Sequence, residues 1–176
     1  IEEIARINGF DKIEPTLPKK TVSPEISDET KILAKVNNML LGMGFDEIMT
    51  SSFVSDAMYK EFMVDYNPKK TVKGLNACSE ENTMLRQSVI PSLLQTIKYN
   101  NDNGQKNLWA YEIGKTYSIE DETTQTNTGV RETRFVSGAI YGSINNEKWN
   151  AKREPDFYTL KGVMENIFEE LGLSNR

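Results

Sequence analysis

The sequence predicts an α+β fold, an antiparallel sheet flanked by helices, and three features carry that prediction. Segments with an apolar residue every third or fourth position occupy 28–43, 88–99 and 156–171, the spacing of helices that bury one face. Two alternating segments, 107–117 and 132–142, are joined by a polar loop and pair most simply as antiparallel neighbours. The long amphipathic helices are segregated around these antiparallel strands, the arrangement of an α+β domain.

Taken in order, residues 1–10, IEEIARINGF, read as the last turns of a helix, with Ile1, Ile4 and Ile7 on one side and Gly9 as its stop. Pro15, Pro18 and Pro24 then make an extended connector. This divides the chain into residues 1–24, the tail of a preceding domain with its linker, and residues 25–176, one module. Ser27 is the N-cap of the next helix, Asp28 and Glu29 suit its first turn, and Ile32, Val36, Met39, Leu40 and Met43 form its stripe. The GMGF at 42–45 comes after that helix instead of preceding one, so it reads as a C-cap and not as a phosphate loop.

Residues 45–54 are strand-like, 55–62 a short capped helix and 69–74 a short strand. A polar loop around Cys78 leads to a helix starting near Ser88, with Pro91 in its first turn, that ends in the NNDNG turn at 100–104. The loop between the long strands, IEDETTQTNTG, is rich in Thr, Gln and Asn. Asp156 caps the last helix, whose apolar side carries Leu160, Val163, Ile167 and Leu171 before Gly172. Tyr111, Tyr117 and Tyr141 fall on strand segments, where aromatic side chains serve cross-strand packing.

Composition bounds the chemistry. The 176 residues are 38% hydrophobic and 27% charged, a globular balance, and no apolar run reaches the length of a membrane helix. The chain opens on Ile inside a helix, as a piece of a longer protein would. Histidine is absent, which removes the commonest general base and the commonest transition-metal ligand. One cysteine forms no intramolecular disulfide, in keeping with a reducing cytoplasm. A net charge of −5 argues against a stand-alone electrostatic binder of nucleic acid. Acidic pairs at Glu2/Glu3, Glu80/Glu81, Asp121/Glu122 and Glu169/Glu170 fit solvated faces as well as chemistry. The residues alone thus support an α+β module without a visible active site.

More specific phrases take the reading further. IEEIARINGFDKIEPTLP resembles the exit from an internal domain of bacterial phenylalanyl-tRNA synthetase β chains. LNACSEENTMLRQSVIPSLLQTIKYNNDNGQKNLWAYEIGKTY resembles the next segment of those chains, through Leu85, Arg86, Ser88, Pro91, Leu93, Leu94, Tyr99, Asn100, Glu112, Ile113 and Gly114. DFYTLKGVMENIFEELGL resembles their Asp-Phe-x-x-Leu-Lys-Gly helix, which includes Lys161. Ala77 stands where the family pattern has proline, which relaxes a turn.

The resemblance implies a non-catalytic copy of the class II aminoacyl-tRNA synthetase core. Its partner would be a catalytic α subunit in an (αβ)2 heterotetramer that attaches phenylalanine to tRNA(Phe) with ATP and Mg²⁺ in the cytoplasm. In a working core the strand matching 107–117 ends in an arginine that grips the ATP α-phosphate. Ser118 stands about there, with Glu120, Asp121 and Glu122 beyond it. Loss of one such donor costs about 3–4 kcal/mol of transition-state stabilisation. The resemblance also implies that residues 28–43 build an intersubunit contact, although their stripe equally fits ordinary core packing. It makes Glu2 and Glu3 the last two ligands of a Mg²⁺ site; a solvated acidic helix face is the alternative. Two other functions stay open. A free-standing class II-type ligase would need Arg131 or Arg134 as its anion-gripping arginine, and an RNA-binding module would use the N-terminal helix.

Overall fold

The computed structural model describes residues 1–19, 21, 24–75, 79–120, 128–143 and 153–173. Its elements in chain order are α1 (Glu2–Asn8), α2 (Asp28–Gly42), β1 (Asp46–Glu47), β2 (Phe53–Val54), α3 (Asp56–Glu61), β3 (Met84–Leu85), α4 (Ile90–Asp102), β4 (Leu108–Ile119), β5 (Val130–Tyr141) and α5 (Phe157–Glu170). The main sheet has the order β1-β4-β5. Its long pair is antiparallel in the register Leu108↔Tyr141 to Ile119↔Val130, while the short β1 lies parallel to β4. A separate antiparallel ribbon joins β2 to β3.

Helix ends obey local chemistry. The Ser27 hydroxyl accepts from Thr30 N at 3.2 Å to start α2. At its far end Phe45 N donates to Leu40 O and Gly44 N to Leu41 O, with Gly44 at φ +88°, so the GMGF stretch is a helix stop. Asp156 and Thr159 form a reciprocal capping box at the start of α5.

Alternation along β4 assigns its two faces. Trp109, Tyr111 and Ile113 point to α2 and α5, where Val36, Leu40, Phe45, Val163 and Ile167 complete the largest core. Phe45 meets Trp109 edge-on at 5.3 Å between ring centres and Tyr111 at 6.5 Å. Burial raises the Tyr111 pKa, and its hydroxyl donates to Asn37 Oδ1 at 2.5 Å. On the other face Ala110 packs with Val89 and Leu93 under α4. A third small core, Val54, Tyr59 and Met84, belongs to the β2–β3 ribbon and α3.

Several expectations are corrected. The strand expected at 45–54 is two short strands in different sheets: Ile48 N still reaches Tyr111 O, then Thr50 turns aside to bond Glu112 and Ser51 Oγ caps Phe53 N. The strand expected at 69–74 begins as a helical turn, Pro68–Lys70, because Pro68 suits its first position and the Asn67 side chain accepts from Lys69 N; only Lys73 bridges to Met84. As expected, α4 begins in the neighbourhood of Ser88, at Ile90, and the Ser88 hydroxyl accepts the Ile90 N–H just outside it. Of the two readings of the α2 stripe, core packing holds for most of it, since Val36 and Leu40 are buried and Met39 and Met43 pack against the same cluster, while Ile32 leaves one edge half exposed. Cys78, the turn at Ala77, and Asp121 and Glu122 lie outside the described residues.

Candidate functional site

The site where a nucleotide-handling chemistry would sit is the β4 face that carries Glu112, Gly114, Thr116 and Ser118. Across the strand pair these oppose Ser137, Phe135, Thr133 and Arg131. Arg86 enters this face from the turn between β3 and α4. Its backbone is clamped first: Arg86 N donates to Ser52 O at 3.0 Å, and Tyr117 N donates to Arg86 O at 2.8 Å. The buried Tyr59 fixes the next two residues, because its hydroxyl accepts from both Gln87 N and Ser88 N.

So placed, the Arg86 guanidinium is 2% exposed and closes a network. Nη2 donates to Glu112 Oε1 at 2.6 Å, Nη1 to Thr50 Oγ1 at 2.8 Å, and Nε to Lys115 O at 2.9 Å. Thr50 Oγ1 donates onward to Glu112 Oε2 at 2.6 Å. Both carboxylate oxygens and three edges of the guanidinium are thereby used. A buried ion pair is held best when its other polar atoms are also hydrogen-bonded, and here each guanidinium nitrogen and each carboxylate oxygen has a partner. Gly114 is what admits it, since a Cβ there would lie 2.4 Å from Arg86 Nη2. The network leaves neither group available to a substrate.

The strand end gives the same answer. Ser118 sits at the outer end of β4 opposite Arg131, and Arg131 Nη1 lies 3.5 Å from Glu120 Oε1. Arg134, the other arginine considered for anion binding, donates to Glu29 Oε1 at 2.6 Å. Both are already partnered by carboxylates. Lys161 pairs with Glu165 on the surface of α5. Glu2 and Glu3 lie exposed in the first turn of α1, where Arg6 Nε donates to Glu3 Oε2 at 3.0 Å. Among the described residues no three metal-ligating side chains come together, so these two carboxylates do not by themselves fit the six-oxygen shell of Mg²⁺.

Comparison with known proteins decides the ancestry. The family model described as phenylalanyl tRNA synthetase beta chain CLM domain matches residues 13–176. The chain belongs to that family. It is 36% identical over 98% of its length to a phenylalanine–tRNA ligase beta subunit of Staphylococcus epidermidis, and 32% identical over 99% to that of Carboxydothermus hydrogenoformans. It spans about a fifth of the length of these curated relatives, 21% in each case. Among solved structures, a pyrrolysyl tRNA synthetase of Desulfitobacterium hafniense matches 83% of this chain and 46% of its own, with a TM-score of 0.58 at 16% identity, a likeness of fold. The α+β fold expected from the sequence is therefore the fold observed, and it is shared with a tRNA synthetase structure. No described helix is long and apolar enough to cross a membrane.

In the sequence Arg86, Glu112 and Gly114 stand out only as residues that carry the family resemblance. Thr50 and Tyr59 went unnoticed. A buried charge pair separated by 26 positions leaves no periodic signal. The one available hint was a glycine within a strand, which marks close approach.

Proposed function

We propose that residues 25–176 are a non-catalytic scaffold of a phenylalanine–tRNA ligase β subunit, with residues 1–24 the tail and linker of the preceding domain. The scaffold holds a catalytic α subunit in a cytoplasmic (αβ)2 enzyme that uses ATP to attach phenylalanine to tRNA(Phe). One observation carries the reading: the face that would grip a nucleotide is closed by the Arg86–Glu112 network and ends in Ser118, with Arg131 and Arg134 tied to carboxylates. The free-standing ligase reading needs an unpaired arginine, which neither candidate supplies. A net charge of −5 weighs against an RNA-binding module.

The test is light scattering on the full-length chain mixed with its cognate α subunit, with ATP–pyrophosphate exchange measured in parallel. A stoichiometric complex, and no exchange by the chain alone, are expected. Exchange by the chain alone would overturn the scaffold assignment. Ile32→Asp, on the exposed edge of α2, is expected to weaken the complex at least tenfold without loss of helical circular dichroism; unchanged association would move the contact off α2.

We further propose Glu2 and Glu3 as the last two ligands of a Mg²⁺ site whose earlier ligands lie outside these residues, with Glu3 exchanging Arg6 for the ion. A Mg²⁺ titration of the full-length chain against Glu2→Gln would show a weakened site. An unchanged titration would leave the pair as a solvated helix face.

A further inference from the structure

A cleft of about 300 Å³ opens between α4 and the small lobe made by β2, α3 and the loop before β3. It begins where the Arg86 network ends, since Thr50 is common to both. Its lining is mixed. Phe53 and Met58 offer apolar surface, and Phe53 remains 46% exposed there.

The polar groups are of two kinds. Some are spent: Thr50 bridges Arg86 and Glu112, and the Glu61 carboxylate is paired with Lys98. Others are open. Ser92 is 4% exposed and lines the cleft from α4, yet among the described residues no group bonds its hydroxyl. The Ser55 oxygen accepts from Met58 N, which leaves its O–H free to donate. Glu81, one of the paired acids in the sequence, has no cation partner among the described residues. Lys98 neutralises Glu61, so the lining carries one uncompensated negative charge. Hydroxyls without partners beside an apolar wall suit a small molecule that is polar at one end.

We propose that this cleft binds a small organic ammonium ion with an apolar body. The Glu81 carboxylate supplies the counter-charge, Phe53 and Met58 the apolar wall, and the Ser92 hydroxyl a buried hydrogen-bonding partner. The Glu81 charge disfavours anions. The site is independent of the scaffold assignment, because it uses neither the α2 edge nor Ser118.

The experiment is calorimetric titration of the full-length chain with 2-phenylethylamine, beside 3-phenylpropionate as a probe of matching shape and opposite charge. A dissociation constant on the order of 1 mM is expected for the amine, as suits one exposed charge pair and a small apolar contact. No binding is expected for the carboxylate. Glu81→Gln, at an exposed position, is expected to weaken the amine about two- to fivefold and Ser92→Ala to weaken it further. Amine binding that Glu81→Gln leaves unchanged, equal binding of the carboxylate, or no amine binding would each overturn the proposal.

Discussion

A methyl group at position 114 would lie 2.4 Å from Arg86 Nη2 and 2.8 Å from Glu112 Oε1, so Gly114→Ala must push apart the two charged groups that the strand face buries. Removing one partner of a buried ion pair costs about 3–5 kcal/mol, because the other charge is left without a counterpart. Gly114→Ala displaces the pair without deleting it, and a loss of about 2–4 kcal/mol in urea unfolding, monitored through Trp109 fluorescence, is expected. A loss under about 0.5 kcal/mol, the range of an ordinary surface substitution, would mean that the guanidinium has room to shift. This glycine is visible in the sequence as part of a phrase that resembles the family. Its reason was not, because the crowding comes from a side chain 28 positions earlier, as the numbering of Arg86 and Gly114 shows.

Among the elements, helix termini were the most legible, and two of them make predictions. The carboxyl of Asp156 is held below its usual pKa, first by the Thr159 hydroxyl and then by the Thr159 backbone N–H. A depressed folded-state pKa means that the cap's stabilisation is complete above the unfolded value of about 4. It is lost as the pH falls through the lower folded value. Asp156→Asn keeps a cap but does not titrate. The stability difference between the two proteins is therefore expected to be constant at neutral pH and to change as the pH falls below about 4; a pH-independent difference would contradict the assignment.

The end of α3 is the counterpart. Val64 N donates to Tyr59 O and Met63 N to Lys60 O, the same two bonds that Gly44 and Phe45 make after α2. Here, however, Met63 takes the left-handed conformation, at φ 51°. A residue with a Cβ pays about 1–2 kcal/mol for that geometry, and Met63 is 91% exposed, so it has little packing to lose. Met63→Gly is expected to raise stability by about 0.5 kcal/mol in urea unfolding, after glycine's own entropy cost. A decrease would show that the methionine makes contacts that outweigh its strain. The short strands were the least legible elements. At 45–54 an alternating pattern is divided between two sheets by Thr50 and Ser51, whose hydrogen bonds depend on partners far along the chain and close by respectively.

For the whole molecule, the α2 stripe separates stability from assembly. Leu40 is 3% exposed among Phe45, Tyr111, Val163 and Ile167, so Leu40→Asp buries an unpaired carboxylate. It should unfold the module and says nothing about a partner. Ile32, half exposed on the same helix, is the position at which association is tested without loss of the core. By itself the sequence determined the helices and their caps, the long antiparallel pair and the family, because each is written in neighbouring residues or in phrases that survive as strings. The tertiary structure alone decided which apolar faces meet each other, that Arg86 and Glu112 close the face a substrate would need, and that a polar cleft lies beside them. Periodicity records which side of an element is apolar. What covers that side, and which distant charges meet beneath it, is settled only when the elements pack.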